Sequence, residues 1–181
     1  MKTECLLVIM VLWLSASTKM LEKDNTAVSV DVQQYCANYF PKACNHKNYQ
    51  DWYQIDSYCM KYFGTPVNFS DAEFSCRNKA SRGHLVSVHN DQVNTNLLCL
   101  VMKYNYTKPR VWLGGLELFK SNKFIWTDGS LWNFEFWVPG QPDNTGNEED
   151  CVEMNWKNTG HWNDDRCHFL KSYVCSFKNK T

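Results

Sequence analysis

The chain has 181 residues, which suits one domain with a processed N-terminus, because a typical domain uses about 100 to 200 residues. Its 19 Lys and Arg residues balance its 19 Asp and Glu residues, so the formal net charge is zero. This balance provides no long-range attraction to nucleic acid or to an anionic membrane surface. Any partner must therefore be recognised by local chemistry.

The first residues have the form of a secretory signal peptide, which we place at residues 1–17. Lys2 precedes an apolar run from Leu6 to Leu14, and small residues follow at positions 15–17. A membrane-spanning helix needs about 20 apolar residues, so a retained anchor is the weaker interpretation of this short run. We expect an exported, extracellular protein that inserts into no membrane.

Eight of the nine cysteines lie after the predicted signal peptide. An even number of cysteines in an oxidising compartment indicates disulfides. Zinc binding is the competing interpretation, but the cysteines are widely dispersed and no CxxC or HExxH motif occurs. Sequons at Asn68, Asn105 and Asn179 are compatible with passage through a secretory pathway, and they are candidate N-glycosylation sites.

The chain changes character near residue 44. Residues 18–43 mix polar residues with scattered valines and contain no glycine or sustained heptad pattern, which favours a flexible lead-in. The packed domain is expected to occupy residues 44–181. At its start, the aromatic residues between Trp52 and Phe63 favour two short strands around a turn.

Two helices are predicted next. Residues 70–80 form the first, in which Ser70 caps the first amides and Glu73 returns a hydrogen bond to the cap. Asn90 is expected to cap the second helix, whose apolar side chains point inward. The side chains expected on that inward face are Val93, Leu97, Leu98 and Val101.

Beyond residue 110, short aromatic or β-branched runs alternate with segments rich in Gly, Asn, Asp and Pro. The segment from 127 to 150 is too long for an ordinary hairpin loop, and Trp132 and Trp137 within it indicate packed order. The pattern predicts two helices followed by short strands and one long loop. The strands predicted in this part are 111–115, 124–126, 151–156 and 173–177.

Two polar clusters in this part of the chain carry the chemistry. The first reads GQPDNTGNEEDC over residues 140–151, and the second reads HWNDDRC over residues 161–167. Calcium takes 6 to 8 oxygen ligands from carboxylates, side-chain amides and backbone carbonyls, so both clusters offer suitable donors. Outside this donor set, Asp128 and Asp165 are expected to be solvated surface residues.

The two clusters resemble the calcium and sugar site of the C-type lectin family. The resemblance is carried by QPD at 141–143, EDC at 149–151 and WND at 162–164, and it extends from about Cys44 to Phe177. Several separated motifs in the family's order are stronger evidence than any single triplet. The other motifs in that order are GHL at 83–85, WLGG at 112–115 and WTDG at 126–129.

The resemblance implies an α+β, C-type lectin-like fold with two helices, short antiparallel sheets and a long calcium-binding loop. It also implies the disulfide-stapled long form, similar to secreted lectins of fish, with a cis peptide bond before Pro142. Cys36 and Cys99 stay unassigned by the family pattern. They pair with each other, or Cys36 joins two chains into a homodimer. The disulfides implied by the resemblance are Cys44–Cys59, Cys76–Cys175 and Cys151–Cys167.

The resemblance also implies that calcium and a sugar share one set of side chains. In this family two neighbouring sugar hydroxyls complete the calcium shell, and the calcium ligands hydrogen-bond the same hydroxyls. The order of Gln before Asp in QPD accompanies a preference for galactose-like sugars in the family. The ligands carried over to this chain are Gln141, Asp143, Glu149, Asn163 and Asp164.

A second calcium site that occurs in some relatives looks degraded in this sequence. Carboxylates are missing where the family has them, so we predict a single functional calcium ion. The equivalent positions are Glu117, Ser121, Asn144, Glu149 and Asp150.

The predicted function is a secreted, calcium-dependent lectin that binds glycans with galactose-like terminal sugars. A calcium-dependent type II antifreeze-like protein on the same fold is the alternative, which Thr145 and Thr159 keep open. A toxin or inhibitor that uses the scaffold for protein contacts is a third class. Catalysis is not expected, because no nucleophile and base arrangement is recognisable and His161 beside carboxylates does not form one.

Overall fold

The computed structural model describes residues 31–179, and these fall into two units divided between Tyr39 and Phe40. Helix α1 occupies residues 31–38 of the first unit, so this part of the predicted lead-in is helical. The predicted signal peptide and the lead-in up to residue 30 lie outside the described residues. No helix within residues 31–179 is both long enough and apolar enough to cross a membrane.

The second unit has the predicted α+β architecture, with two helices and an eight-stranded sheet. Its elements in chain order are β1 (Tyr53–Ile55), β2 (Tyr58–Val67), α2 (Phe69–Lys79), β3 (His84–Leu85), α3 (Asp91–Tyr104), β4 (Val111–Glu117), β5 (Phe124–Trp126), β6 (Cys151–Met154), β7 (Trp162–Asp165) and β8 (Lys171–Lys178). A short 3-10 turn, Thr145–Asn147, lies in the long loop before β6. The predicted runs correspond to β1, β2, β4, β5, β6 and β8, whereas β3 and β7 were not predicted.

The sheet has the strand order β1-β2-β8-β4-β6-β7, with β3 beside β8 and β5 beside β4. One pair departs from the expected antiparallel arrangement, because β4 runs parallel to β8. The last strand of the chain therefore lies between β2 and β4 and joins the two halves of the sheet. This order leaves β6 and β7 at one end, where β7 pairs only with β6 among the described strands.

Helix α2 begins one residue earlier than predicted, and its cap is Asn68 rather than Ser70. The Asn68 side-chain oxygen accepts a hydrogen bond from the Asp71 backbone N–H at 2.8 Å, and its amide nitrogen donates to the Asp71 carboxylate at 2.8 Å. The predicted capping box was therefore wrong. The residue that bonds to the Asn68 cap is Asp71, and the Glu73 side chain points into the core instead.

Helix α3 confirms its prediction. The Asn90 side chain caps it by accepting a hydrogen bond from the Val93 N–H at 2.9 Å. The four apolar side chains expected on its inner face are all buried. Its neighbour Asn94 is also buried, and the Asn94 side-chain oxygen accepts a hydrogen bond from the Trp162 indole at 2.9 Å.

Tryptophan rings hold the long loop between β5 and β6 in place. Trp132 lies 4.4 Å from Trp126 and 5.9 Å from Trp162, between ring centroids, and Trp137 lies 5.8 Å from Trp162. Trp126 and Trp162 are fully buried. The loop is therefore packed onto two strands, as the tryptophans within it predicted.

Disulfides join cysteines of the second unit in the predicted pairs, and Cys76–Cys175 connects segments 99 residues apart. Cys44–Cys59, Cys76–Cys175 and Cys151–Cys167 have Cα–Cα distances of 5.7, 5.2 and 5.2 Å, within the usual range for a disulfide. Cys36 and Cys99 are disulfide-bonded as well, so neither is a free thiol.

The three sequons lie at the ends of regular elements. Asn68 caps α2, Asn105 follows α3, and Asn179 follows β8. The Asn105 side-chain oxygen accepts hydrogen bonds from the Thr107 N–H at 3.1 Å and from the Thr107 hydroxyl at 2.6 Å. Their glycosylation stays a prediction.

Glu73 joins α2 to the sheet through one buried carboxylate, which is 7% exposed. It accepts hydrogen bonds from the Leu85 N–H at 2.9 Å, the Thr127 hydroxyl at 3.0 Å and the Arg77 guanidinium at 2.7 Å, and His84 lies 2.8 Å away. Burial alone would raise the pKa of Glu73, but the hydrogen bonds from Leu85, Arg77 and His84 outweigh burial and lower it. The folded state therefore favours the ionised carboxylate.

We predict that Glu73→Gln lowers the free energy of unfolding by about 2 kcal/mol at neutral pH, because a neutral amide cannot accept all of these hydrogen bonds. The folded-state pKa of Glu73 lies below its unfolded value, so its stabilisation is present above the unfolded pKa and is lost as pH falls through the folded pKa. The difference between parent and variant should therefore shrink on acidification. Guanidinium unfolding at about pH 7 and about pH 3 measures it. A difference that stays constant or grows at acid pH would contradict the assignment.

Candidate functional site

The pairing of β6 with β7 brings the two polar clusters of the sequence together. Glu153 lies opposite Asn163 and Val152 lies opposite Asp164 in this antiparallel ladder. The Cys151–Cys167 disulfide closes the same hairpin. The long loop that ends in β6 therefore lies beside the strand that contains the WND motif.

The loop residues after Gly140 are anchored to β7 by backbone hydrogen bonds. The Gln141–Pro142 peptide bond is cis, as the resemblance implied. The buried Asp164 carboxylate accepts hydrogen bonds from the N–H groups of Asp143 at 3.2 Å and Asn144 at 2.8 Å. Asn144 adopts a left-handed conformation with a φ of 43°, which turns the chain into the 3-10 turn that follows.

Three of the predicted ligands form a compact group of carboxylates. Asp143, Glu149 and Asp164 each have an oxygen within 4.8 Å of the others, and they are exposed, half-buried and buried, respectively. Gln141 adjoins the group, because its amide nitrogen donates to Asp143 at 3.0 Å. Within residues 31–179, Asp143, Glu149 and Asp164 are the one group of acidic, His or Cys side chains that are close enough together to hold a metal ion.

The pKa shifts in this group follow from burial and from like charge. Burial raises the pKa of Glu149, and the negative charges of Asp164, Asp165 and Asp143 raise it further. Burial also raises the pKa of Asp164, against hydrogen bonds from the N–H groups of Asn144 and Asp143. By contrast, a hydrogen bond from the Thr145 hydroxyl lowers the pKa of Asp143. In the described part of the chain, none of the three carboxylates forms an ion pair with Lys or Arg.

The fifth predicted ligand, Asn163, is buried in β7 with its amide turned toward Glu153. Its nitrogen donates to a Glu153 carboxylate oxygen at 2.9 Å and contacts the backbone carbonyl of Asp164. Within residues 31–179, its buried oxygen has no hydrogen-bond partner. In the same described range, its side chain forms no hydrogen bond with the side chains of the other four ligands, and its contact with the Asp164 backbone carbonyl is its link to the group.

These residues fit a hard divalent cation such as calcium. Calcium binds oxygen at about 2.3 to 2.6 Å, so two ligand oxygens on opposite sides of the ion lie at most about 5.2 Å apart. The 4.8 Å spacing of the carboxylate oxygens satisfies this limit. The buried oxygen of Asn163 is a further possible ligand, because no group within residues 31–179 donates a hydrogen bond to it.

Two of the residues equivalent to a second calcium site, Glu117 and Asn144, are hydrogen-bonded to each other. The Glu117 carboxylate accepts from the Asn144 side-chain amide at 3.0 Å and from the Asn122 N–H at 2.6 Å. The Ser121 hydroxyl donates to the Leu118 carbonyl at the turn of the same loop. The bond between Glu117 and Asn144 holds two loops together. That the protein binds a single calcium ion stays a prediction.

A buried network of ionic side chains lies next to the site and was missed from the sequence. Glu153 is fully buried, and Arg110 bridges it to Asp165 with distances of 2.7 Å from Nε to Glu153 and 2.7 Å from Nη2 to Asp165. Lys171 contacts Asp165 and lies 3.5 Å from Glu153. Asp165 is only 3% exposed, so the prediction that it lies on the solvated surface was wrong. The available signal was Glu153 itself, a carboxylate between Val152 and Met154 in an apolar strand.

The sequence is similar to known lectins over most of its length. The family described as Lectin C-type domain matches residues 65–177. A protein named Lectin from Pleurodeles waltl is 34% identical over 138 residues, which cover 76% of this chain and 80% of that protein. A C-type lectin galactose-binding isoform from Pseudechis porphyriacus is 35% identical over 130 residues, which cover 71% of this chain and 82% of that protein. A C-type lectin mannose-binding isoform from Oxyuranus scutellatus is 34% identical over 128 residues, 70% of this chain and 80% of its own.

Solved structures with the same fold include a lectin and an antifreeze protein. The C-type lectin CEL-I from Cucumaria echinata superposes with a TM-score of 0.67 at 27% identity, covering 72% of this chain and 96% of CEL-I. The herring type II antifreeze protein superposes with a TM-score of 0.65 at 27% identity, covering 72% of this chain and 98% of that protein. With the domain match and the relatives above, the chain belongs to the C-type lectin domain family.

Proposed function

We propose that this protein is a secreted lectin that binds galactose-like sugars through a calcium ion. The observation that carries the proposal is the convergence of Asp143, Glu149 and Asp164 within 4.8 Å, without an ion pair to any of them in residues 31–179. Carboxylates this close repel one another, and a divalent cation removes that repulsion. Gln141 and Asn163 complete the proposed set of ligands.

Calcium, when bound, would supply coordination positions for two neighbouring hydroxyls of a sugar. The chain's own residues would orient those hydroxyls. The amide nitrogen of Gln141 is a donor and the carboxylate of Asp143 is an acceptor, and the two lie 3.0 Å apart. A donor and an acceptor therefore stand side by side at the exposed edge of the group.

The choice of galactose depends on the order of these two residues. Relatives of nearly equal identity include a galactose-binding and a mannose-binding isoform, at 35% and 34%, so overall similarity does not select the sugar. Gln141 before Asp143 resembles the galactose-type members of the family, whereas the mannose-type members place an acid first and an amide second. Galactose-like terminal sugars are therefore the proposed ligands.

Ice binding is the second candidate function, favoured by the likeness to the herring type II antifreeze protein at nearly the same TM-score as CEL-I. Thr145, one of the two threonines that keep it open, is exposed beside the site. Its hydroxyl donates to Asp143 at 2.7 Å, so it is engaged with a site carboxylate. Lectin function has the broader support, because relatives at 34 to 35% identity are named as lectins.

Export and glycosylation belong to the same proposal. The predicted signal peptide at residues 1–17 and the sequons at Asn68, Asn105 and Asn179 support a secreted glycoprotein. Its proposed partners are glycans rather than nucleic acid or membrane. The homodimer through Cys36 is not proposed, because Cys36 is already disulfide-bonded in the structure of the single chain.

On a glycan array, we expect binding to galactose-terminated glycans in the presence of calcium and loss of that binding with a chelator, because the sugar hydroxyls depend on the cation. Thermal hysteresis of the same sample should be absent. Binding that persists in chelator, or a clear hysteresis gap, would contradict the lectin proposal. Sugar-insensitive binding to a protein would favour the toxin or inhibitor class.

Asp143→Ala should weaken calcium binding by about a hundredfold, because it removes one of three clustered carboxylates. The fold should persist, since Asp143 is exposed. Isothermal titration calorimetry measures the affinity, and circular dichroism checks the fold. Glu148→Ala is the matched control: Glu148 lies in the same loop and pairs with Arg166 at 3.1 Å on the surface, so its loss should change affinity less than about threefold. Equal affinities of the two variants would refute the site.

Calcium affinity should fall as the solution is acidified. Calcium binding needs the ionised carboxylates, and the pKa values of Glu149 and Asp164 are raised in the calcium-free protein, so protons compete at a higher pH than for ordinary carboxyl groups. Calorimetric titrations between about pH 7 and about pH 4 measure this. An affinity that stays flat over that range would show that these carboxylates do not bind the ion.

A further inference from the structure

Glu153 is a fully buried carboxylate that faces Asn163 across the β6–β7 ladder. One of its oxygens accepts a hydrogen bond from the Asn163 amide at 2.9 Å and also contacts Arg110. The other accepts from Arg110 Nε at 2.7 Å, with the Lys171 ammonium 3.5 Å away. Each group named here that contacts the carboxylate is a hydrogen-bond donor.

This environment determines which way the Asn163 amide points. A carboxylate held between Arg110 and Lys171 can only accept hydrogen bonds, so Asn163 must present its NH2 group to Glu153. The same nitrogen contacts the backbone carbonyl of Asp164, a second acceptor. Rotating the amide by half a turn would place its oxygen against two acceptors, which is electrostatically unfavourable.

As a consequence, the Asn163 side-chain oxygen takes part in neither of these contacts. Asn163 is only 3% exposed, and its buried oxygen has no hydrogen-bond partner among the residues that the structure describes. A buried amide oxygen without a partner is costly in a folded protein, so it calls for a ligand. Cations bind the oxygen of an amide and are repelled by its NH2 group, so this orientation leaves unpaired the atom of Asn163 that a cation can bind.

We propose that Glu153 is a positioning residue, which orients the Asn163 amide so that its oxygen rather than its nitrogen is available to the cation. This inference rests on the proposed calcium site. Arg110 and Lys171 take part by holding Glu153, and they satisfy the carboxylate without supplying an acceptor that would reverse the amide.

The central variant is Glu153→Gln, which keeps the size of the side chain. Arg110 and Lys171 would attract its single oxygen, so its NH2 group would face Asn163 and turn that amide around. Asp165→Asn is the matched control, because it removes one charge beside the same two cations but does not contact the Asn163 amide. The exchange variant Glu153→Gln/Asn163→Asp restores a donor facing an acceptor and leaves a second carboxylate oxygen for the ion.

Isothermal titration calorimetry should give a calcium dissociation constant about ten to a hundred times higher for Glu153→Gln than for Asp165→Asn. The exchange variant should bind calcium more tightly than either Glu153→Gln or Asn163→Asp alone, because its two changes compensate. If Glu153→Gln fails to fold, the comparison of the exchange variant with Asn163→Asp still tests the proposal, since the exchange variant keeps the hydrogen bond and the net charge. A role of Glu153 in stability alone would produce no such rescue.

Side-chain amide NMR of the calcium-free protein provides a readout that is independent of calcium. The Asn163 amide protons should be shifted downfield and protected from exchange in the parent and in Asp165→Asn, and should lose both features in Glu153→Gln. Unprotected protons in the parent would overturn the inference. If the parent binds calcium and Glu153→Gln binds it as tightly as Asp165→Asn, only the inference fails. If the parent protein binds no calcium, both the proposed function and this inference are contradicted.

Discussion

Three carboxylates stand close together in this fold because the β6–β7 ladder and the long loop hold them there. Asp164 lies in the ladder, Asp143 and Glu149 lie in the loop, and the Cys151–Cys167 disulfide closes the hairpin between them. Their mutual repulsion opposes this arrangement, and the backbone hydrogen bonds that Asp164 accepts from the loop support it. Backbone N–H groups of the loop thus hold the carboxylates together, and the remaining negative charge favours a cation.

The distribution of charge on the two sides of β7 is unequal. On one side, Glu153 and Asp165 are matched by Arg110 and Lys171, so the buried charges there are paired. Lys171 also lies 4.1 Å from the ring of Trp112, which adds a cation–π contact. On the other side, the three carboxylates of the site have no such partners in residues 31–179. Excess negative charge is therefore confined to the place where a cation is proposed to bind, and Asn163 connects the two sides.

Several elements could be predicted because their signals are local. Asn90 is followed by apolar side chains at helical spacing, and both its cap and its buried face are confirmed. The start of α2 was harder, because Asn68 and Ser70 are both good caps within three residues and only the chain path selects Asn68. Strand β7 was missed since its residues are polar, and their burial comes from packing against β6 and the tryptophans of the loop.

The sequence by itself determined the set of oxygen donors, their order along the chain and the positions of the cysteines. Those features are covalent or local, and together they resemble one family. Tertiary structure alone decided that Asp143, Glu149 and Asp164 share one space and that Asp165 faces inward. It also decided that Glu153 meets Asn163, because the register between β6 and β7 determines which side chains lie opposite each other. That register depends on the packing of the whole sheet, which composition and spacing do not encode.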